Sequence, residues 1–228
     1  MDVVYFVKEG AQNPELIYSV RSVCKNLKFR KIWFIGGCPE GIMPDFYCHF
    51  NRVSSVKTRN TAAMFRMLCG IDKISDNFIF FNDDFYVMRP TDKMPPRYWG
   101  TLGEKVELME EMYGSTRWSR LLEQAEKKLK EYGYETYNFE LHVPMVMNKE
   151  RLAEVINKFP GTPCKRSLYG NYFRLYMDGE EKPDGKIHGL NHVVQNMDFL
   201  STDDESFRRG AIGEQIRKAF PKPSDYEL

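Results

Sequence analysis

The run Ser75-Asp76-Asn77-Phe78-Ile79-Phe80-Phe81-Asn82-Asp83-Asp84-Phe85 decides how the chain is read. Continuous apolar residues over 78–81 predict a strand buried on both faces. Its abrupt end in polar side chains predicts where a ligand would be met, because the carboxyl ends of strands stay open when helices cover both faces of a sheet. Residues i and i+2 of an extended chain share a face, so Asn82 and Asp84 are expected to point together, with Asp83 opposite. Two readings fit the triplet. One is an oxygen site for Mg2+ or Mn2+ shared with the phosphates of a nucleoside diphosphate. The other is the start of a turn, which Asn and Asp commonly open.

Outward from that run, Val3-Val4-Tyr5-Phe6-Val7 reads as another buried strand. A helix is predicted over 14–27, where Leu16, Ile17, Val20, Val23, Cys24 and Leu27 recur at three- and four-residue steps behind an Asn13-Pro14 start. Ile32-Trp33-Phe34-Ile35, stopped by Gly36-Gly37, then completes a βαβ unit with parallel strands. Further helices are expected over 60–68, 117–132 and 148–159. A proline-rich turn is expected over 90–96, a short polar strand near 139–143, a basic aromatic loop over 165–171 and a solvated turn over 179–185. No internal repeat is visible. The expectation is one α/β domain over 1–228, with a mostly parallel central sheet flanked by helices and a mobile tail over 212–228.

Composition excludes several classes. With 228 residues the chain can bury a sizeable core without a disulfide or zinc staple. Its 33 Lys+Arg against 32 Asp+Glu give no global grip on nucleic acid. No apolar run approaches the roughly 20 residues that span a bilayer, and residues 1–6 lack the basic start of a signal peptide; the expected location is the cytoplasm. Cys24, Cys38, Cys48, Cys69 and Cys164 form no C-x-x-C pair and read as reduced packing residues.

Three further clusters could carry chemistry. In Phe139-Glu140-Leu141-His142-Val143-Pro144 the alternation would put Glu140 and His142 on one face, where a carboxylate neighbour would support His142 as a general base. A structural histidine beside a turn proline is the alternative. Lys57-Thr58-Arg59-Asn60-Thr61 stands ahead of a helix, whose amide groups and dipole, capped by Asn60 or Thr61, would favour an anion. Lys165-Arg166-Ser167-Leu168-Tyr169-Gly170-Asn171 could clasp phosphate through Arg166 and stack a base or sugar on Tyr169. Either cluster could equally be an ordinary solvated loop. Lys127, Lys128 and Lys130 could form a local basic groove, although glutamates are interleaved with them. Asp203, Asp204 and Glu205 could serve a metal-dependent phosphatase or nuclease, but read more simply as a helix start capped by Ser201 or Thr202.

The order of these pieces resembles known enzymes. Asp2-Val3-Val4-Tyr5, Glu15-Leu16-Ile17-Tyr18-Ser19-Val20-Arg21-Ser22, Ile32-Trp33-Phe34-Ile35 and the run 75–85 are similar to the Stealth family of sugar-phosphate transferases. A nearly full-length resemblance is to the glycosyltransferase-like proteins of tailed bacteriophages. It is carried by residues 82–90, Glu140-Leu141-His142-Val143-Pro144-Met145, residues 165–171, Phe199-Leu200-Ser201-Thr202 and Phe220-Pro221-Lys222-Pro223-Ser224. The resemblance implies a glycosyltransferase-A-like, Rossmann-related fold and a nucleotide-diphosphate sugar donor. It places Asn82-Asp83-Asp84 where that fold carries a D-x-D metal motif, with Mn2+ or Mg2+ on Asp84 and Asp83. The first position here is Asn, which weakens coordination or relaxes the need for metal. His142 with Pro144 matches an active-site His-x-Pro, with Glu140 or Asp83 beside it in catalysis. Lys57, Arg59, Asn60, Asn82, Lys165, Arg166, Tyr169 and Asn171 would hold the donor. The implied acceptor is a hydroxyl on a modified base of phage DNA or on a cell-surface glycan. Sugar-1-phosphate transfer and a non-catalytic nucleotide-sugar module are the alternatives.

Overall fold

A computed structural model describes residues 1–10 and 12–228. Its elements in chain order begin with β1 (Asp2–Val7), α1 (Pro14–Asn26), β2 (Ile32–Gly36), β3 (Phe46–His49), α2 (Lys57–Cys69) and β4 (Asn77–Asn82). There follow β5 (Phe85–Val87), β6 (Arg97–Tyr98), α3 (Leu102–Tyr113), α4 (Arg117–Glu131), β7 (Met145–Asn148), α5 (Lys149–Lys158) and α6 (Lys165–Tyr172). The chain ends with β8 (Glu180–Glu181), β9 (Lys186–Ile187), β10 (Phe199–Thr202), α7 (Asp204–Arg209) and α8 (Ala211–Ala219).

The central sheet runs β3-β2-β1-β4-β7, parallel except for β7. Along β1, β2 and β4 the side chains alternate between two cores, as the period of two demands. Val4, Phe6, Trp33, Ile35, Phe78 and Phe80 face one layer, which holds residues of α2, α4, α5 and α6. Val3, Tyr5, Val7, Ile32, Phe34, Ile79 and Phe81 face the other, built on Leu16, Val20 and Val23 of α1. The predicted mostly parallel α/β sheet with helices on both faces is what forms. A second sheet, β5-β10-β9, packs Tyr86 and Leu200 against Phe207 of α7 and Ile212 and Ile216 of α8.

The chain crosses from β1 to β2 on one face and returns through α2 to β4 on the other. Strand order therefore reverses around β1, and in sheets of this kind ligands are met at such a reversal, here the carboxyl ends of β1, β2 and β4. Gly36 ends β2 there with φ +119°, and a Cβ on it would lie 2.1 Å from the Val7 carbonyl oxygen, so only glycine fits.

Two expectations change. The tail over 212–228 is anchored rather than mobile: Ile212, Ile216 and Phe220 are buried, and Glu227 takes a two-pronged bond from Arg21 at 2.8 and 2.6 Å. The stretch over 165–171 is a buried helix, not a loop, because Gly170 lets α6 press onto the Phe139 ring. Alanine there would gain about 1 kcal/mol of helix propensity. Its Cβ would stand 2.4 Å from the ring, and overpacking of that kind costs about 1–3 kcal/mol. Gly170→Ala is therefore expected to lower the melting temperature, measured by circular dichroism.

Candidate functional site

Register places the functional side chains. Phe80 pairs with Met145, so residues 142–144, just before β7, arrive at the carboxyl edge of β4. Phe85 pairs with Ser201, and Ser201 with Lys186, so the second sheet brings β9 beside the end of β4. The strand itself stops at Asn82, and Asp83-Asp84 form a turn. The alternation expected through the triplet is lost there, and the two carboxylates find separate partners.

Asp83 accepts a bond of 2.7 Å from the Asn13 side-chain amide, whose oxygen caps α1 by accepting from the Leu16 amide at 3.0 Å. Burial, and then the neighbouring Asp84 carboxylate, raises the Asp83 carboxyl above its usual range. Asp84 pairs instead with the Lys186 ammonium at 2.5 Å and accepts from the Ser201 hydroxyl at 3.0 Å. Lys186 also donates to the Ser201 oxygen at 3.2 Å and to the Thr202 carbonyl. Asn82 is half-buried at the strand's end.

The Asn82-Asp83-Asp84 donor set does not suit a resident divalent ion. One Asp84 oxygen is held by an ammonium, Asp83 is held by an amide, and Asn82 carries no charge. Among the described residues no group of three or more His, Cys, Asp or Glu is arranged to hold a metal.

His142 has a carboxylate neighbour, but it is Asp184 rather than Glu140. Asp184 accepts from the His142 backbone amide at 2.7 Å, and its second oxygen lies 2.9 Å from Nδ1. Burial works to raise the Asp184 carboxyl; the bonds from His142 outweigh it and hold it at about 2. The carboxylate is thus ionised at any working pH, and in the neutral imidazole it would assign the ring proton to Nδ1 and leave Nε2 as the acceptor. The imidazole is 39% exposed and meets the Phe85 ring edge-on, one residue beyond Asp84.

Glu140 faces α6. It accepts from the Ser167 amide at 2.9 Å and pairs with Arg166 at 3.4 Å, both side chains being about nine-tenths buried. The residues over 139–143 form no strand, so the shared polar face expected for Glu140 and His142 does not exist. The α6 side chains proposed to hold a donor are committed to the fold. Lys165 donates to the Phe159 carbonyl at 2.9 Å, and burial lowers its ammonium to about 8. Arg166 donates to the Leu141 carbonyl. Tyr169 accepts from the Asn148 amide at 3.0 Å, and Asn171 bonds both backbone groups of Tyr137.

Asn60 is likewise internal. Its oxygen accepts from the Val53 and Ser54 amides, and Val56, not Asn60 or Thr61, precedes the helix. Lys57 and Arg59 are exposed at the start of α2, on the side of the sheet where the strands end. Lys128 and Lys130 pair with Glu131 and Glu126 on α4, which leaves no bare basic groove there. Asp203, rather than Ser201 or Thr202, caps α7 and also holds His188 at 2.7 Å.

Sequence reasoning missed Asp184 and Lys186. They sit two residues apart, Asp184 within the stretch read as a solvated turn and Lys186 just past its end, 42 and 102 residues from their partners. It also missed Glu15, 9% exposed in the first turn of α1 and bonded by the Thr202 hydroxyl at 2.7 Å. No helix among the described residues is long and apolar enough to cross a membrane.

No known protein family matches the chain, and no curated protein does either. Among solved structures it is similar to the glycosyltransferase GlyE of Streptococcus pneumoniae TIGR4. The apo form shares 9% identity at a TM-score of 0.34, over 81% of this chain and 46% of that one. A second GlyE structure shares 10% identity at 0.36, over 79% and 44%. This chain thus spans less than half the length of those proteins, and a likeness so distant says nothing of activity.

Burial, aided by repulsion from Asp84, raises the Glu15 carboxyl from 4.5 to about 8. Between these values the unfolded chain has lost the proton that the fold retains, so stability falls as pH rises, by at most about 1.4 kcal/mol per pH unit. Glu15→Gln, which keeps an acceptor for Thr202, is expected to flatten this slope. Urea unfolding at pH 5 and pH 8 should show the variant gaining on the wild type at the higher pH.

Proposed function

We propose that the chain is a glycosyltransferase of the glycosyltransferase-A-like fold, moving a sugar from a nucleotide-diphosphate donor to a hydroxyl acceptor. The observation that carries this reading is the His142–Asp184 pair at the carboxyl edge of β4, beside the Asp83-Asp84 turn and at the point where strand order reverses. The donor lies across the ends of β1, β2 and β4, with its diphosphate toward Lys57 and Arg59. Asn60, Lys165, Arg166, Tyr169 and Asn171 have no part in holding it, and Glu140 has none in catalysis.

The acceptor hydroxyl gives its proton to His142 Nε2 as its oxygen attacks the anomeric carbon. The bond from that carbon to the diphosphate oxygen breaks, and the electron pair leaves with the diphosphate. The imidazolium so formed is stabilised by the Asp184 carboxylate, and the charge gathering on the leaving group by the cations at the rim. Nothing in the sequence of events needs DNA as acceptor, and the paired lysines of α4 favour a glycan or other small hydroxyl acceptor over a modified base.

One observation favours a non-catalytic sugar-nucleotide module instead: the turn that would carry charge to a donor is already neutralised by Lys186. A panel of radiolabelled nucleotide sugars separates the two. The transferase reading expects donor hydrolysis or transfer with at least one donor, lowered by about 10^2–10^4-fold in His142→Ala. Asp184→Asn is expected to lower kcat more than it raises KM, because it disturbs the tautomer and not the donor. Nucleotide binding without turnover would establish the module.

A further inference from the structure

The Lys186 ammonium sits where three oxygens converge: a carboxylate oxygen of Asp84, the Ser201 hydroxyl and the Thr202 carbonyl. Carboxylate, hydroxyl and carbonyl oxygens are the donors a hard cation takes. Here a lysine side chain supplies the cation. Its ammonium has three protons and three partners, so it is saturated, and it is well shielded from water, with 13% of the side chain exposed. Glu15 bonds the same Thr202 through its hydroxyl, which closes the cage from the α1 side. Asp83, the other carboxylate of the turn, is directed to Asn13 and adds no ligand to this cage.

We infer that Lys186 takes the place of a divalent cation beside Asp84, and that the site works without a metal ion. The inference deepens the transferase reading and rests on it only for the consequence in catalysis. Charge on a departing diphosphate would then be balanced by fixed protein cations. Lys8, just beyond β1, and Lys57 and Arg59, at the start of α2, are exposed at the edge where the strands end. Lys186 itself acts as a positioning residue: it holds the Asp83-Asp84 turn against the second sheet, and with it Phe85, which meets His142.

The test titrates Mn2+ alone into the full chain and follows the paramagnetic resonance of free Mn2+. Wild type is expected to leave the free signal unchanged, whereas Lys186→Ala, with the cage vacated, is expected to take up about one ion per chain. Uptake by the wild type that disappears in Asp84→Asn would overturn the inference, as would a folded Lys186→Ala that takes up none. Should Lys186→Ala lose its circular dichroism, the wild type decides alone through its affinity for UDP and GDP, measured by calorimetry with Mn2+ and with EDTA. Equal affinities support the inference, and a gain of tenfold or more with Mn2+ overturns it. Failure to bind either nucleotide counts against the transferase reading instead, and the Mn2+ titration still decides this one.

Discussion

The ion pair between Asp84 and Lys186 is the joint on which the rest of the site depends. Strand β4 is buried on both faces, and its last residues must leave one sheet and enter another within a two-residue turn that carries two adjacent carboxylates. Like charges so close and so shielded cannot both stand unpaired. The fold resolves this asymmetrically. Asp84 receives a full positive charge from β9, whereas Asp83 is bonded by the neutral Asn13 amide, and burial, with the Asp84 carboxylate beside it, makes it hold its proton more tightly. Because Asn13 also caps α1 and Lys186 also spans β10, the same two bonds fix the helix start and the second sheet relative to the turn.

Much of the architecture was legible because it is periodic. The buried strands over 3–7, 32–35 and 78–81 announce themselves as continuous apolar runs. The helices over 14–27, 117–132 and 148–159 carry an apolar stripe, and Asn13 caps the first of them as the Asn13-Pro14 start suggested. What was not legible has little period. Strands β5 to β10 are two to four residues long, and too short for alternation to be read. The basic stretch over 165–171 looked solvated because Lys, Arg and Asn usually are. It is buried because its polar side chains find carbonyls, amides or Glu140, and that matching is visible only in three dimensions.

The candidate site divides along the same line. His142 and the Asp83-Asp84 turn stood out because their residue types and local order are unusual. Their partners did not, since Asp184 and Lys186 lie in a polar stretch containing Gly179, Pro183 and Gly185, whose local pattern says only that the chain turns. An acid–base pair needs one member to be conspicuous and the other merely to be near, and nearness at a separation of 42 residues is set by topology. Glu140 was the closest carboxylate in sequence and therefore the natural guess. The strand it was to share with His142 is replaced by an irregular passage in which the two side chains go to different neighbours.

The two missed residues also explain why the histidine and the turn form one unit. Asp184 orients His142, Lys186 holds Asp84, and only Gly185 lies between them. A Cβ on Gly185 would stand 3.0 Å from the His142 carbonyl oxygen and 3.1 Å from a Val143 methyl, so this segment is pressed against the passage that carries the histidine. The group that would accept a proton and the turn that would face the donor are therefore set by one short stretch of backbone. A displacement of that stretch large enough to release Asp84 would strip His142 of the carboxylate that fixes its tautomer. Charge balance at the turn and the orientation of the His142 ring are in this way set by a single packed element.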